Sequence, residues 1–138
     1  MIAMFNRDYP SSAQWVRRAR DDVARFAEYC RFGREELGEI TLAVGEACNN
    51  AVEHAGSFDN FNVWCEFDGT TIVITIEDKG VGFHLPTAPV ERDQLQPQGL
   101  GIFLMNHLMD KADYAIKPND GTVLTLEKRK RSESIVAF

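Results

Sequence analysis

Residues 42–54 of this 138-residue chain, LAVGEACNNAVEH, give the strongest indication of its architecture. Placed at 100° steps, they and the residues before them predict an α-helix from about Arg34 to Ala55. One stripe of this helix is apolar and is expected to face a hydrophobic core. The stripe consists of Leu37, Ile40, Val44, Ala47, Ala51 and Ala55.

The opposite side of the same helix carries Glu46, Asn49, Asn50 and Glu53. Glu46 and Asn50 are four residues apart, so their side chains lie one above the other. Two consecutive asparagines are costly in a helix interior, and such local conflicts concentrate at functional sites. The residues therefore form either an ordinary solvated face or a site whose carboxylate and amide hold Mg²⁺ and orient a nucleophile.

The remaining elements follow from the periodicity on either side of this helix. Asp68-Gly69 is a strong hairpin signal between two strand-like runs. The predicted elements are an edge strand within residues 1–9, a helix from Ala13 to about Phe32, strands Asn62–Phe67 and Thr70–Glu77, a helix from near Gly99 to about Asp110, and strands Ala112–Ile116 and Thr122–Glu127.

This order of elements predicts an α+β fold, a two-layer α/β sandwich with a mixed, mostly antiparallel sheet and helices on one face. The length fits a single domain over residues 1–138. We expect its core to span about 10–128 and a basic tail to follow at 129–138, with frayed chain from Lys128 to Arg131.

Two glycine-rich segments flank the long aperiodic stretch 79–98. The first, Asp78-Lys79-Gly80-Val81-Gly82-Phe83, is either a hairpin turn or a backbone that comes close to a ligand. There Asp78 could accept a hydrogen bond from an amino group. The second, Gln98-Gly99-Leu100-Gly101-Ile102, is either an ordinary loop-to-helix turn or a seat for phosphate at a helix N-terminus.

The composition restricts the possible functions. A net charge of −6 and a pI near 5.0 argue against nucleic acid and anionic membranes as partners. Cys30, Cys48 and Cys65 are scattered, as reduced thiols of a cytoplasmic protein would be. The N-terminus lacks a signal-peptide pattern, and no apolar run approaches the roughly 20 residues of a membrane span. The P-loop, dinucleotide and protein-kinase motifs are all absent.

Taken in order, these segments resemble the motifs of the GHKL ATP-binding superfamily, whose fold is the Bergerat fold. The closest resemblance is to its anti-sigma factor serine/threonine kinases of the RsbW and SpoIIAB type. Residues 42–55 resemble the N box, Asp78-x-Gly80-x-Gly82 the G1 box, and residues 98–105 the G2 box. Gly121-Thr122 resembles the short motif before the last strand.

The resemblance implies ATP and Mg²⁺ as cofactors and assigns roles to individual residues. Glu46 would activate the attacking hydroxyl, and Asn50 would bind Mg²⁺. Asp78 would accept a hydrogen bond from the adenine amino group, with Gly80 and Gly82 flanking the base and a lid.

The same resemblance assigns the phosphate contacts to the backbone of Gly99, Leu100 and Gly101, and it places Thr122 near the adenine. The family often has a basic residue just before the G2 glycines, but this chain has Gln96, Pro97 and Gln98 there. Lys79 and Arg92 are the two candidates for a phosphate contact, and the sequence does not choose between them.

The implied function is a kinase that phosphorylates a STAS-domain anti-sigma antagonist and itself acts as an anti-sigma factor, on a sigma factor or another regulated protein. A homodimer is also implied. Two alternatives are a non-catalytic ATP-binding sequestering module and the ATP-binding domain of a histidine kinase. Glu46 argues against the first, and the lack of a helical dimerisation segment before residue 10 against the second.

Overall fold

The computed structural model describes residues 2–54, 60–78, 97–117 and 121–131. Within these residues the chain forms five strands and three helices. In chain order they are β1 Ala3–Pro10, α1 Ala13–Tyr29, α2 Arg34–His54, β2 Asn60–Phe67, β3 Thr71–Asp78, α3 Pro97–Leu108, β4 Lys111–Lys117 and β5 Gly121–Arg129.

The five strands form one sheet in the order β1-β2-β3-β5-β4, and every neighbouring pair is antiparallel. The two-layer α+β prediction is confirmed, but the expectation of a mixed sheet is wrong for the described strands. β4 runs in the same direction as β3, as expected after a helical connection. Because β5 lies between them, no parallel pair forms.

The helices cover the face of the sheet that carries the alternating apolar residues. On β3 these are Ile72, Ile74 and Ile76, which are 0–2% exposed. Ile74 and Ile76 are in register with Leu126 and Leu124 of β5. The apolar stripe predicted for α2 packs onto this face, with Ile40, Val44, Ala47 and Ala51 all buried. Ala55 lies outside the described residues.

The turn between β2 and β3 confirms the predicted hairpin. Asp68 Oδ1 accepts hydrogen bonds from the backbone N–H groups of Thr70 and Thr71, both at 2.8 Å. Gly69 has φ of +103°, a conformation that glycine adopts without steric cost. These hydrogen bonds lower the pKa of the exposed Asp68 carboxyl.

The prediction of a frayed chain from Lys128 to Arg131 is wrong. Lys128 points into the molecule at 3% exposure, where its Nζ donates to the carbonyl of Leu108. Arg131 Nη2 lies 2.9 Å from Glu39 Oε1. The first turns of α2 are acidic, so they hold this basic segment against the domain.

All three cysteines are free and buried, as the sequence predicted for reduced thiols. Burial raises the pKa of the Cys48 thiol to about 12. Among the described residues, none of the helices has both the length and the apolar character needed to cross a membrane.

Gly38→Ala should raise the free energy of unfolding by about 0.5–1 kcal/mol, since alanine is the better helix former. An added Cβ at Gly38 meets nothing within 4 Å. The matched control is Gly69→Ala, whose Cβ would lie 2.7 Å from Ile2 Cδ1 at a positive φ. The control should be destabilised by about 1 kcal/mol or more. Urea unfolding measures both, and a lower midpoint for Gly38→Ala at unchanged slope would contradict the packing.

Candidate functional site

The polar face of α2 is not fully exposed to solvent, because Glu46 and Asn50 on this face are partly or fully buried. Asn50 is only 8% exposed and Glu46 is half-buried, whereas Asn49 and Glu53 are exposed. The solvated-face alternative is therefore wrong for Asn50. A helix this polar on its buried side needs partners there, because burying an amide without hydrogen bonds is costly.

One neighbour of this polar face is the second turn of α3. A Cβ built on Gly101 would lie 3.2 Å from Oε2 of Glu46 and 3.7 Å from Nδ2 of Asn50. Only a residue without a side chain lets the two helices approach this closely without displacing the carboxylate. Glu46 and Asn50 of the first segment and Gly101 of the second, which the sequence singled out separately, are thus neighbours.

The first turn of α3 contains Gln98, Gly99 and Leu100 behind Pro97. Proline is favoured at the first position of a helix, where its missing N–H costs nothing. The N–H groups of a first helical turn have no partner inside the helix, and the helix dipole makes this end positive. The α3 N-terminus can therefore receive an anion beside Glu46 and Asn50.

A second pair of polar residues lies where β3 ends and β5 begins. Asp78 and Thr122 face each other in register and are 2% and 6% exposed. Thr122 Oγ1 donates to Asp78 Oδ2 at 2.5 Å. A hydrogen bond to a buried carboxylate is charge-assisted and fixes its orientation. The second oxygen of such a carboxylate can accept a bond from a ligand.

Tyr114 on β4 joins these two groups, and the sequence reasoning missed it. Its hydroxyl accepts a hydrogen bond from Nδ2 of Asn50 at 3.1 Å. Burial raises the pKa of Tyr114 to about 12, with further raising by the charges of Asp78 and Glu46. Strand alternation places Tyr114 on the helix-covered face, which is the one signal that could have identified it.

A small cavity of about 10 Å³ marks where these groups converge, room for about one water molecule. This cavity is too small for the ring of an organic ligand. Such a ring would have to lie at the mouth of the cavity or displace the side chains that line it. Its lining consists of Ala47, Asn50, Ala51, Ile76, Asp78, Tyr114, Thr122 and Leu124.

A wider groove of about 400 Å³ opens on the other side of Glu46, between α1 and α2. Leu42 in this groove is 51% exposed. Arg20 supplies a positive charge next to Gly45. The full lining is Arg20, Leu37, Gly38, Thr41, Leu42, Gly45, Glu46 and Asn49.

Four of the predicted site residues lie outside the described part of the chain: Lys79, Gly80, Gly82 and Arg92. Of the others, Glu46, Asn50 and Gly101 meet at one place, and Asp78 and Thr122 meet at another, with Tyr114 between them. Within the described ranges no three His, Cys, Asp or Glu side chains come together as a metal-binding group.

The model of the histidine kinase-like ATPase domain matches residues 9–128, nearly the whole chain. The chain belongs to the histidine kinase-like ATPase family. The anti-sigma F factor of Pasteuria penetrans is 33% identical over 128 residues, which cover 86% of this chain and 85% of that protein. Serine-protein kinase RsbW of Bacillus mycoides (strain KBAB4) is 29% identical over 139 residues, covering 91% and 84%.

The fold of this histidine kinase-like ATPase also matches a solved structure. The RsbU and RsbW domains of a Mycobacterium tuberculosis protein align with a TM-score of 0.68 at 16% identity, over 92% of this chain and 32% of that one. The resemblance seen in the motifs is confirmed. The chain is a GHKL-type ATP-binding protein of the branch that contains the anti-sigma factor serine/threonine kinases.

Thr122→Val should lower the free energy of unfolding by about 1.5–3 kcal/mol, because it removes a charge-assisted donor from a buried carboxylate at nearly constant volume. Thr122→Ser keeps the hydroxyl and should recover most of that loss. Urea unfolding at neutral pH compares the two variants. A valine variant as stable as the wild type, beside a destabilised serine variant, would mean that the Thr122 methyl group and not its hydroxyl stabilises the fold.

Proposed function

We propose that this protein is an ATP- and Mg²⁺-dependent kinase that phosphorylates a serine or threonine of a STAS-domain anti-sigma antagonist. It also binds and inhibits a sigma factor or another regulated protein, so that phosphorylation switches its partner. The observation that supports this best is the meeting of Glu46, Asn50 and Gly101. A carboxylate, an amide and a helix N-terminus are the groups that phosphoryl transfer requires at one place.

Glu46 is the proposed base for the acceptor hydroxyl. In the transfer, a bond forms between the hydroxyl oxygen and the γ-phosphorus while the bond from that phosphorus to the bridging oxygen of ADP breaks. The hydroxyl proton passes to the Glu46 carboxylate. Glu46 acts mainly through position, being half-buried next to Gly101 and close to the anion seat of α3.

Asn50 is the proposed metal ligand from the protein. Asn50 is buried, and its amide oxygen belongs to the class of donor that Mg²⁺ accepts. The donor set therefore fits a cation held by one or two protein oxygens, water and phosphate. When bound, Mg²⁺ would neutralise charge that develops on the phosphate oxygens.

The base and phosphates of ATP are proposed to occupy the two ends of this site. Asp78, oriented by Thr122, accepts a hydrogen bond from the adenine amino group, and Gly80 and Gly82 flank the base. The backbone of Gly99, Leu100 and Gly101 holds phosphate at the α3 N-terminus. Lys79 and Arg92 remain the candidates for a basic contact to the γ-phosphate.

The groove between α1 and α2 is the proposed entry for the acceptor segment of the partner protein. It is wide, and its lining includes the exposed Leu42, the charged Arg20 and Glu46. An extended segment lying in it would bring a serine hydroxyl to the carboxylate. The protein is further proposed to be cytoplasmic and homodimeric, with no nucleic-acid or membrane partner. A monomeric mass in solution at micromolar concentration would contradict the dimer.

A second candidate function is a sequestering module that binds ATP and its target but transfers no phosphate. The similarity to an anti-sigma F factor favours it as an additional activity. The Glu46 carboxylate beside Gly101 favours the kinase over a module that transfers no phosphate. A third candidate, the ATP-binding domain of a histidine kinase, has no specific support in the described residues.

Glu46→Gln should lower the rate of phosphate transfer at least a hundredfold, because a general base contributes about 10²–10⁴. Its affinity for ATP should change little, since the amide has nearly the same shape. The assay uses labelled ATP, Mg²⁺ and the STAS-domain protein encoded nearest this gene. Asn50→Ala should also abolish transfer, with weaker Mg²⁺-dependent ATP binding.

The control for charge alone is Glu28→Gln, an exposed carboxylate on α1 that should leave transfer unchanged. If the wild type binds ATP and its partner but transfers no phosphate, the sequestering module is the correct function. If Glu46→Gln transfers at the wild-type rate, Glu46 is not the base.

Gly101→Ala should lower the transfer rate by about tenfold or more without lowering stability. The new Cβ would crowd Glu46 Oε2 at 3.2 Å and displace the carboxylate from its working position. The gain in helix propensity, about 1 kcal/mol, offsets the crowding. In a Glu46→Gln background the same change should have almost no further effect on transfer. An additive loss would show that Gly101 acts on something other than Glu46.

A further inference from the structure

Among the described polar side chains that line the small cavity, Tyr114 is the one that the motifs do not account for. It lies on β4, opposite Leu124 of β5, and packs against the hydrophobic core. Its backbone is therefore held by the sheet and its ring by apolar neighbours. The hydroxyl at the end of this ring meets the amide of Asn50, and the two side chains share the lining of the small cavity.

The direction of this hydrogen bond has a consequence for the amide. Nδ2 of Asn50 donates to the Tyr114 hydroxyl at 3.1 Å. An amide has two different ends: its nitrogen only donates, and only its oxygen can bind a cation. An asparagine turned by 180° about its last bond would present N–H groups to a metal and could not bind it. A partner that accepts a hydrogen bond from the nitrogen, as the Tyr114 hydroxyl does, stabilises the opposite orientation of the amide.

The surroundings of Asn50 leave little freedom to replace this partner. The amide is 8% exposed, and the close approach of Gly101 limits its movement on the α3 side. The tyrosine is held in position because strand β4 is paired along Lys111–Lys117 with β5. Partners of this kind, behind the residues that touch a metal, typically change metal affinity 10–100-fold when they are removed.

We propose that Tyr114 is a positioning residue for the metal–nucleotide site: its hydroxyl holds the nitrogen of the Asn50 amide and thereby presents the amide oxygen to the cation. The inference rests on the proposed function, in which Asn50 binds Mg²⁺. Tyr114 itself touches neither the metal nor the reacting atoms.

The test measures how strongly Mg²⁺ strengthens the binding of a non-hydrolysable ATP analogue. Its dissociation constant is determined by titration calorimetry in Mg²⁺ and again in EDTA, and the ratio of the two is the metal coupling. Manganese affinity in the presence of the analogue, from electron paramagnetic resonance, gives a second value. Neither readout depends on turnover. Tyr114→Phe should reduce the metal coupling about tenfold and leave binding in EDTA within threefold.

A double-mutant cycle separates orientation from packing. Both oxygens of a carboxylate can bind a cation, so in Asn50→Asp the metal site does not depend on which end is held. Removing the Tyr114 hydroxyl in that background should change the metal coupling less than threefold. An equal loss in both backgrounds would mean that Tyr114 acts by packing and would overturn the proposal.

Two further outcomes are distinguishable from each other. If Asn50→Ala leaves the metal coupling at the wild-type value, Asn50 is not a metal ligand, and the proposed function fails together with this inference. If Asn50→Ala abolishes the coupling but Tyr114→Phe does not reduce it, only the role of Tyr114 fails. Tighter analogue binding by Tyr114→Phe in EDTA would show that the hydroxyl competes with the nucleotide, and it would also overturn the proposal.

Discussion

The structure of the site depends on the burial of the polar side of α2 against α3. A helix with apolar residues on one side only needs to be covered on that side, but α2 is covered on two sides. Its apolar stripe packs on the sheet, and its carboxylate and amide face the second turn of α3. Gly101 makes this possible, since any side chain would separate the helices or push Glu46 aside. The proposed phosphate seat and the proposed catalytic groups are therefore held at a fixed separation.

The sheet provides the second constraint. The position of β5 between β3 and β4 brings residues from three strands to one end of the sheet. Asp78, Thr122 and Tyr114 lie on β3, β5 and β4, and pairing of these strands brings them to the lining of one cavity together with Asn50. A shift of one residue in register would turn each of these side chains to the opposite face. The register thus matters as much to the site as the residue types.

The basic end of β5 also stabilises the packing of α2 and α3, at the end of α3 opposite the site. Lys128 is buried and donates to the carbonyl of Leu108, the last residue of α3. Its Nζ also lies 3.5 Å from Glu39 of α2. A cation at the C-terminus of a helix is favourable, and this one links α3 to α2. Contacts at Gly101, near the N-terminus of α3, and at Leu108, its C-terminus, thereby fix the position of this helix.

The sequence was sufficient for the features that depend on local physics. Helical periodicity identified the core stripe of α2, the Asp68-Gly69 turn identified a hairpin, and the motif order indicated an ATP-binding family, which the family match confirmed. Asn50 was singled out because two consecutive asparagines are costly inside a helix, and Glu46 because it lies one turn before Asn50. These inferences need only neighbouring residues, whose spacing is fixed by the geometry of a helix or strand.

Other features required the tertiary structure, because they depend on residues far apart in the chain. Tyr114 lies 64 residues from Asn50, and nothing in a strand of alternating character singles out its hydroxyl. The charge run at Lys128–Arg131 suggested a solvated tail. The sequence alone does not show that the acidic N-terminal part of α2 lies next to this run in the fold and forms ion pairs with Arg131. Local spacing indicates which groups the chain possesses, whereas strand order and helix packing determine which of them meet.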